Sequence, residues 1–556
     1  VAFLRSPVAH GRVRGFDIPD VLRAQVTLAA DMAGVKNIRA VTALPGFKVS
    51  DQPALATDKV RYVGELVAMC LAPDRARAED IVQRVSVDIE ELPAIHDMVR
   101  ARDADAPLIH EQWDENSFLE SVVDDPKFDE IAAKAPIKIT RTFQTARQCM
   151  SPIEGRGVVA EWDSRLEQLI VYSASQMPHI VRTGLSECLG LDHGKVRIIA
   201  PDVGGGFGYK GILLPEEVAI CWLAMQVRHP VRWIEDRREQ LSANANCREH
   251  HYVVTAHAEE SGKLVALEAT AHVDSGAYSA YPFSACLEAA QVGSILPGPY
   301  DFGAFRCRTW SSCTNKPPIL PYRGVARTGV CFAMELMLDA IAREVGKEPH
   351  EIRQMILVPP EAMPFDNITA KHFDSGDYPE CLRRAVDAID LPAVRARQAA
   401  GEADGRLVGV GLSIFCEQGS HGTSVYSGWG IPMVPGHEQC SARLTPDGEL
   451  ELRIGAHSHG QGLETTLAQV ANEMLGVEID RVKLVHGDTQ YTPYSTGTWG
   501  SRCMVMSGGA VATACEAIGE RAARIGASLL QADVDDVRIE GGQVIAPGGA
   551  VSLAEI

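Results

Sequence analysis

Over the first hundred residues apolar and polar positions alternate in short runs. Ala2-Phe-Leu, Gln25-Val-Thr-Leu, Ile38-Arg-Ala-Val and Leu66-Val-Ala-Met-Cys70 read as strands, and Arg75 to Arg84 has helical spacing ahead of the alternating strand Val85-Ser-Val-Asp-Ile89. This predicts a small α+β domain over residues 1–98. Residues 99–135 are acidic and rich in Asp, Ala and Pro without a period, which suits a connecting segment. A second region, 136–399, opens with strands at Ile137-Lys-Ile-Thr-Arg-Thr-Phe143, Gly157-Val-Val-Ala-Glu-Trp162 and Gln168-Leu-Ile-Val-Tyr-Ser173. Helices and strands then interleave: a helix over 215–227, a strand over 231–235, long strands over 252–258 and 264–273, and an apolar helix over 330–342. Gly401 to Gly405 reads as a linker. The third region, 406–556, alternates strands at 407–414, 437–444 and 450–454 with helices near 464–475 and 509–531. No period of roughly 20 to 50 residues recurs, so neither a solenoid nor a propeller is expected.

Composition narrows the partners. Across 556 residues, 53 basic against 73 acidic side chains give a formal charge of −20, which argues against nucleic acid or an anionic membrane. The 14 cysteines are scattered without a Cys-x-x-Cys pair, so no local ligand set for a zinc ribbon or iron–sulfur cluster is offered. Isolated cysteines in a long chain suit a reducing, cytoplasmic compartment, and no apolar run is long enough to span a membrane. Val1 and Ile556 both fall inside strand-like patterns, so both natural ends, and a full last domain, are expected beyond this sequence.

Glycines concentrate at three strand-to-helix junctions. Pro201-Asp-Val-Gly-Gly-Gly-Phe-Gly-Tyr-Lys-Gly211 follows the apolar run Val196–Ala200 and lets backbone N–H groups approach a ligand. Its Gly206-Phe-Gly-Tyr-Lys-Gly211 literally satisfies a dinucleotide fingerprint, with Glu235 or Asp236 after the next strand, but Pro201 and Pro215 oppose a nicotinamide site. In the second loop Gly460-Gln461-Gly462 opens a helix, where free N–H groups favour an anion, while His457, His459 and His486 leave a metal reading open. Glu464, at the start of that helix, reads as a capping residue. The third loop, Thr496-Gly-Thr-Trp-Gly-Ser-Arg502, joins small hydroxyls, glycines and one arginine before a long helix. Together the loops suggest a large phosphate-bearing cofactor held between two regions. Arg323, beside Gly324 and ahead of the apolar helix, is either a structural ion pair or an anchor for a polar substrate.

These segments, in this order, resemble the molybdopterin-binding large subunit of the xanthine dehydrogenase/aldehyde oxidase/carbon monoxide dehydrogenase family. The resemblance runs through Arg5-Ser-Pro-Val-Ala-His10, Lys59-Val-Arg-Tyr-Val-Gly-Glu65, Pro152-Ile-Glu-Gly-Arg156, Ser175-Gln176, Gly204–Lys210, Tyr322-Arg-Gly324, Asp374-Ser-Gly-Asp-Tyr378, His459-Gly-Gln-Gly462 and Gly497-Thr-Trp-Gly-Ser-Arg502. It implies an N-terminal α/β hammerhead domain and two molybdenum-cofactor-binding α+β domains, the last incomplete here. It also implies molybdenum held by molybdopterin cytosine dinucleotide through the pterin dithiolene, with no protein metal ligand. Carried onto this chain, Gln176 would meet the apical ligand of the metal, and Gly205, Gly206, Phe207 and Gly208 would wall the same centre. Arg323 would face substrate. His459, Gly460, Gln461, Gly462 and Thr465, with Thr498, Gly500, Ser501 and Arg502, would hold the pterin and its phosphates.

The implied activity is hydroxylation of an electron-poor carbon with water as oxygen source. Electrons would leave to an iron–sulfur small subunit carrying [2Fe-2S] and an FAD-binding medium subunit, in a dimer of heterotrimers. Purine oxidisers place glutamate where this chain has Gly211, and copper-containing carbon monoxide enzymes place cysteine where it has Gly324. Xanthine and carbon monoxide are therefore demoted, leaving N-heteroaromatic or aldehyde-type substrates. The family's general-base glutamate is expected beyond Ile556. A nicotinamide-dependent dehydrogenase and a non-catalytic family scaffold are the competing readings.

Overall fold

The computed structural model describes residues 1–244, 246–431 and 436–556. At the N-terminus, strands Ala2–Arg5, Leu66–Cys70 and Val26–Leu28 form one three-stranded sheet, and Lys59–Val60, Gly11–Asp17 and Ser86–Glu91 form another. Leu66–Cys70 is buried along its whole length, as its unbroken apolar run demands. Helix Arg75–Val82 starts at Asp74, whose side chain accepts the Arg77 N–H, and packs against both Ala2–Arg5 and Leu66–Cys70.

A five-stranded sheet runs in the order Ser117–Asp124, Ala304–Ser312, Leu264–Asp274, His250–Ala258, Ile137–Thr145. Helices Cys286–Ile295 and Arg327–Val345 cover it, and Met334, Met337, Leu338 and Ile341 fill the interface. The expected connecting segment 99–135 thus supplies an edge strand and helix Phe128–Lys134. Its acidic residues disguised both: Glu120 and Asp124 lie on the strand's solvent face and pair with Arg308 and Arg306. The expected strand over 407–414 is irregular, with no strand partner among the described residues. The Ile414 N–H goes instead to the Glu335 carboxylate at 3.0 Å, and the Leu412 carbonyl accepts from Arg353.

The site is positioned by two copies of one supersecondary unit. In the first lobe Gly157–Asp163 pairs antiparallel with Gln168–Ser173, helix Pro178–Leu189 crosses over, and Val196–Ile199 joins in parallel. A loop and helix Pro215–Val227 follow. In the second lobe Cys440–Leu444, Leu450–Ile454, helix Leu463–Leu475 and strand Val482–Val485 repeat that order, before a loop and helix Gly508–Leu530. Both crossover helices stop on a left-handed glycine, Gly190 and Gly476, at φ 69° and 68°. The repetition is visible in Leu189-Gly-Leu-Asp-His-Gly-Lys-Val-Arg-Ile-Ile199 against Leu475-Gly-Val-Glu-Ile-Asp-Arg-Val-Lys-Leu-Val485. The lobes meet edge to edge: the Ala200 N–H donates to the Gly487 carbonyl at 2.7 Å and the Thr489 N–H to the Ile198 carbonyl at 3.0 Å.

Beneath the first lobe lies a buried ionic cluster that explains the Pro152–Arg156 and Arg5 motifs. Arg156 bonds Glu216, Glu217 and Glu235, and Arg5 reaches in from the N-terminal domain to Glu216 at 3.0 Å. Tyr209, from the first glycine loop, donates to Glu235. The loop is therefore anchored to the same charges that dock the N-terminal domain. No helix among the described residues is long and apolar enough to cross a membrane.

Candidate active site

Four loops converge where the lobes face each other: 174–177 and 200–214 from the first, 455–462 and 486–507 from the second. Segment 320–327 closes one side. Gln176 joins most of them. It is buried, its backbone N–H donates to Lys210 and its carbonyl accepts from Thr498, both at 2.9 Å. Its Oε1 accepts the Gly208 N–H at 2.9 Å and its Nε2 donates to the Thr498 carbonyl at 2.8 Å. An amide nitrogen carries two hydrogens, so one remains available to a ligand.

Two glycines make this approach possible. A Cβ on Gly206 would stand 2.3 Å from Gln176 Oε1. Gly208 sits at φ +112°, and a Cβ there would fall 1.9 Å from the Pro321 carbonyl oxygen. The same crossing places the Phe207 carbonyl 2.9 Å from the Arg323 N–H. Phe207 itself adopts φ 57°, and the residue is 42% exposed. Gly205 lies directly under that ring. Arg323 is exposed and has no carboxylate partner among the described residues. Of the two readings left open for it, the free guanidinium favours the anchor.

Lys210, its side chain fully buried, donates to Glu154 at 2.5 Å, and Glu154 also accepts the Gly204 N–H at 2.6 Å. Burial lowers the lysine's pKa, and Glu154 offsets part of that shift. The pair is a backstay of the glycine loop that sequence reasoning did not identify.

In the second lobe, helix Leu463–Leu475 begins at Gly462 with no side-chain cap. A Cβ at Gly460 or Gly462 would meet no atom within 4 Å, so this face is open. Gln461 is exposed and folds back on its own loop: its Oε1 accepts the His459 N–H at 2.7 Å. His459 is partly buried, which lowers its pKa, and Thr465 lies exposed in the first helical turn. Glu464 does not cap the helix, contrary to expectation. Its carboxylate takes Ser458 Oγ at 3.0 Å and His486 at 2.9 Å, because both face it across the loop. Of the three histidines open to a metal reading, His457 and His486 bond one another, Nδ1 to Nδ1 at 2.9 Å.

The third loop packs on the segment 419–426. Ser420 donates its N–H to the Gly500 carbonyl and its hydroxyl to the Ser501 carbonyl, at 2.8 and 2.9 Å. Thr498 is buried, its hydroxyl bonding the His457 backbone. Arg502 is 1% exposed, and its guanidinium holds Glu438 at 2.9 Å and the Gly497 and His437 carbonyls. It shapes the loop from behind, while Gly500 and Ser501 present backbone. Buried polar atoms occur here without partners among the described residues: Thr496 Oγ1, Ser507 Oγ, Arg502 Nε and Tyr426 Oη. Each such group costs about 1–3 kcal/mol unless a ligand or water answers it. The open glycine cradle, the uncapped helix end and these orphaned groups fit a polar, anionic cofactor.

Beyond the loop, Arg327 enters the wall of a cavity of about 510 Å³ lined also by Val330, Met334, Phe373, Tyr378 and Phe415. Arg327 is held by the Gln418 carbonyl and His421, and burial lowers its pKa.

The α/β hammerhead domain of aldehyde oxidase and xanthine dehydrogenase matches residues 1–93, and molybdopterin cofactor-binding domains match residues 109–357 and 384–556. The nicotine 6-hydroxylase large subunit of Paenarthrobacter nicotinovorans is 30% identical over 100% of this chain and 68% of its own length. The carbon monoxide dehydrogenase large chain of Hydrogenophaga pseudoflava is 32% identical over 96% of this chain and 68% of its own. The crystal structure of quinoline 2-oxidoreductase from Pseudomonas putida 86 superposes with a TM-score of 0.94 at 34% identity, covering 100% of this chain and 71% of that one. The chain belongs to the xanthine dehydrogenase/aldehyde oxidase/carbon monoxide dehydrogenase family of molybdenum oxidoreductases, as a molybdopterin-binding large subunit.

Proposed function

We propose that this chain hydroxylates an electron-poor carbon of an N-heteroaromatic or aldehyde-type substrate, with water as the oxygen source. The observation that carries this reading is the Gln176 amide. It is clamped between Gly208 and Thr498 with one hydrogen to spare, beside the wall formed by Phe207 and Arg323. The cofactor, when bound, supplies the two-electron acceptor and the centre at which oxygen is transferred.

The chain's own residues bind and orient. Gln176, with one amide hydrogen to spare, would help hold the bound cofactor, and Phe207 and Gly208 would exclude water from that side. The N–H groups around Gly460–Gly462 and the first turn through Thr465 would hold phosphate oxygens, with His459 beside them. The backbone of Thr498, Gly500 and Ser501, shaped by Arg502, lines the remainder. These donors suit molybdopterin cytosine dinucleotide. Arg323 offers a planar fork to negative charge developing on the substrate. The cavity beyond Arg327 sets the rings of Phe373, Tyr378 and Phe415 beside Arg327, Lys371 and Asp374, a lining that suits a flat ring bearing polar atoms.

The names of the nicotine and quinoline enzymes support the heteroaromatic class. Electrons would pass to an iron–sulfur small subunit and an FAD medium subunit, in a dimer of heterotrimers. The relatives' designations as large subunit or large chain support such a complex.

A screen of N-heteroaromatics and aldehydes with an artificial electron acceptor, run on the natural complex, tests the proposal. Turnover confined to one of these classes is expected. A molybdenum-replete complex inert to both classes would refute it.

A further inference from the structure

The repeated unit places His457 where Gln176 stands in the first lobe. Each is the third residue beyond its lobe's second strand, which ends at Ser173 or Ile454. Each also reaches into the loop that follows the other lobe's third strand. Gln176 bonds Thr498, while His457 Nε2 donates to the Pro201 carbonyl at 3.1 Å. His457 is fully buried, and the Thr498 hydroxyl grips its backbone twice, accepting the N–H at 2.9 Å and donating to the carbonyl at 2.5 Å. From its other ring nitrogen a chain runs outward through His486 to Glu464 and Ser458.

We infer that His457, braced by His486 and Glu464, is a positioning residue that fixes the Pro201 arm of the glycine loop against Thr498, setting the spacing between the two walls of the pocket. The inference rests on the cofactor reading above for what the pocket holds, but not for the positioning itself.

The partners determine where the protons lie. The Pro201 carbonyl only accepts, so His457 Nε2 carries hydrogen. Burial, with His486 next, pushes His457 down to about 3, so its ring is neutral and Nδ1 is bare. His486 Nδ1 therefore donates. Burial works against the Glu464 carboxylate, but its backbone N–H, His486 and Ser458 outweigh it and hold its pKa below the ordinary range. The titratable groups acting on His457 are His486, His459 and Glu464, and His486 is in turn tied to Glu464 at 2.9 Å.

Three substitutions separate the arms of this brace, each in the assembled complex. His457→Gln keeps a donor for Pro201, His457→Asn keeps an acceptor for His486, and His457→Leu removes both. The first readout is amide hydrogen exchange over residues 198–206, compared with Leu452→Ala, a core substitution in the second lobe's sheet. The second is loss of molybdenum on dialysis. The Leu variant is expected to exchange faster in 198–206 than Leu452→Ala does, and to lose molybdenum about 10-fold faster than wild type, with Gln and Asn between. Exchange in 198–206 no faster than in Leu452→Ala overturns the positioning role. Faster exchange with wild-type molybdenum retention overturns its link to the pocket. A wild-type complex without molybdenum would instead defeat the functional reading, leaving exchange to decide the positioning.

Discussion

Gln176 Oε1 lies 2.3 Å from where Gly206 would carry a Cβ, so the amide occupies the volume that any larger residue at 206 would need. Gly206→Ala must therefore displace the Gln176 side chain from Gly208 and Thr498. Overpacking of this kind costs about 1–3 kcal/mol. The variant should fold with a modestly lowered melting temperature and lose most of its turnover. Melting curves and initial rates check this, and wild-type turnover would remove Gln176 from the site.

Arg323 is exposed and without a carboxylate partner among the described residues, so its substitution should leave the fold intact. Arg323→Lys keeps the charge but not the planar fork. Turnover should fall on the order of 10²-fold, the scale of losing one aimed donor, with molybdenum content unchanged. Metal analysis beside steady-state rates separates the two quantities. Parallel loss of metal and rate would make Arg323 structural.

Arg502 and Glu438 form a pair with side chains 1% and 0% exposed. Glu438→Gln leaves the guanidinium without a counter-charge and should destabilise the protein by about 3–5 kcal/mol. Chemical denaturation of the variant measures this. A loss below about 1 kcal/mol would show the pair to be replaceable.

The Arg156 cluster predicts a pH dependence of stability. Burial raises the Glu217 carboxyl to about 7, Arg156 opposing and Glu216 adding to the rise, whereas Glu216, though buried, is brought down to about 2 by Arg156 and Arg5. Glu217 thus binds a proton more tightly folded than unfolded. Between about pH 4.5 and 7 the folded state holds more protons, so this group's contribution to stability declines as pH rises through that window. Glutamine copies the protonated acid. Glu217→Gln should therefore gain stability relative to wild type as pH rises from 4.5 to 7 and hold that gain above it. Melting temperatures of both proteins across that range test the sign, and a constant difference would contradict it.

Much of this architecture was legible in local pattern. Helix Pro215–Val227 announces itself by proline at its first position and an apolar run to Val227. The glycine clusters were legible because close backbone approach tolerates few residue types, whereas Gln176 came only through the family resemblance. Helix Pro178–Leu189 carries equally good end signals, proline at its start and Gly190 at its stop, and marks the lobe duplication that was missed. That repeat recurs hundreds of residues apart, outside any period sought for solenoids. What local sequence could not show is which distant groups meet. Arg502 read as an anion donor until Glu438, 64 residues away, was found holding it, and Glu464 read as a cap until His486 faced it.

The central claim is that the facing loops of the two lobes hold a molybdenum cofactor against Gln176. Elemental analysis of the natural complex, with nucleotide release by acid, tests it most directly. Molybdenum equimolar with this chain and an equal amount of cytidine nucleotide are expected, with both reduced together in Gly206→Ala. A fully folded natural complex containing neither molybdenum nor cytidine nucleotide would contradict the account.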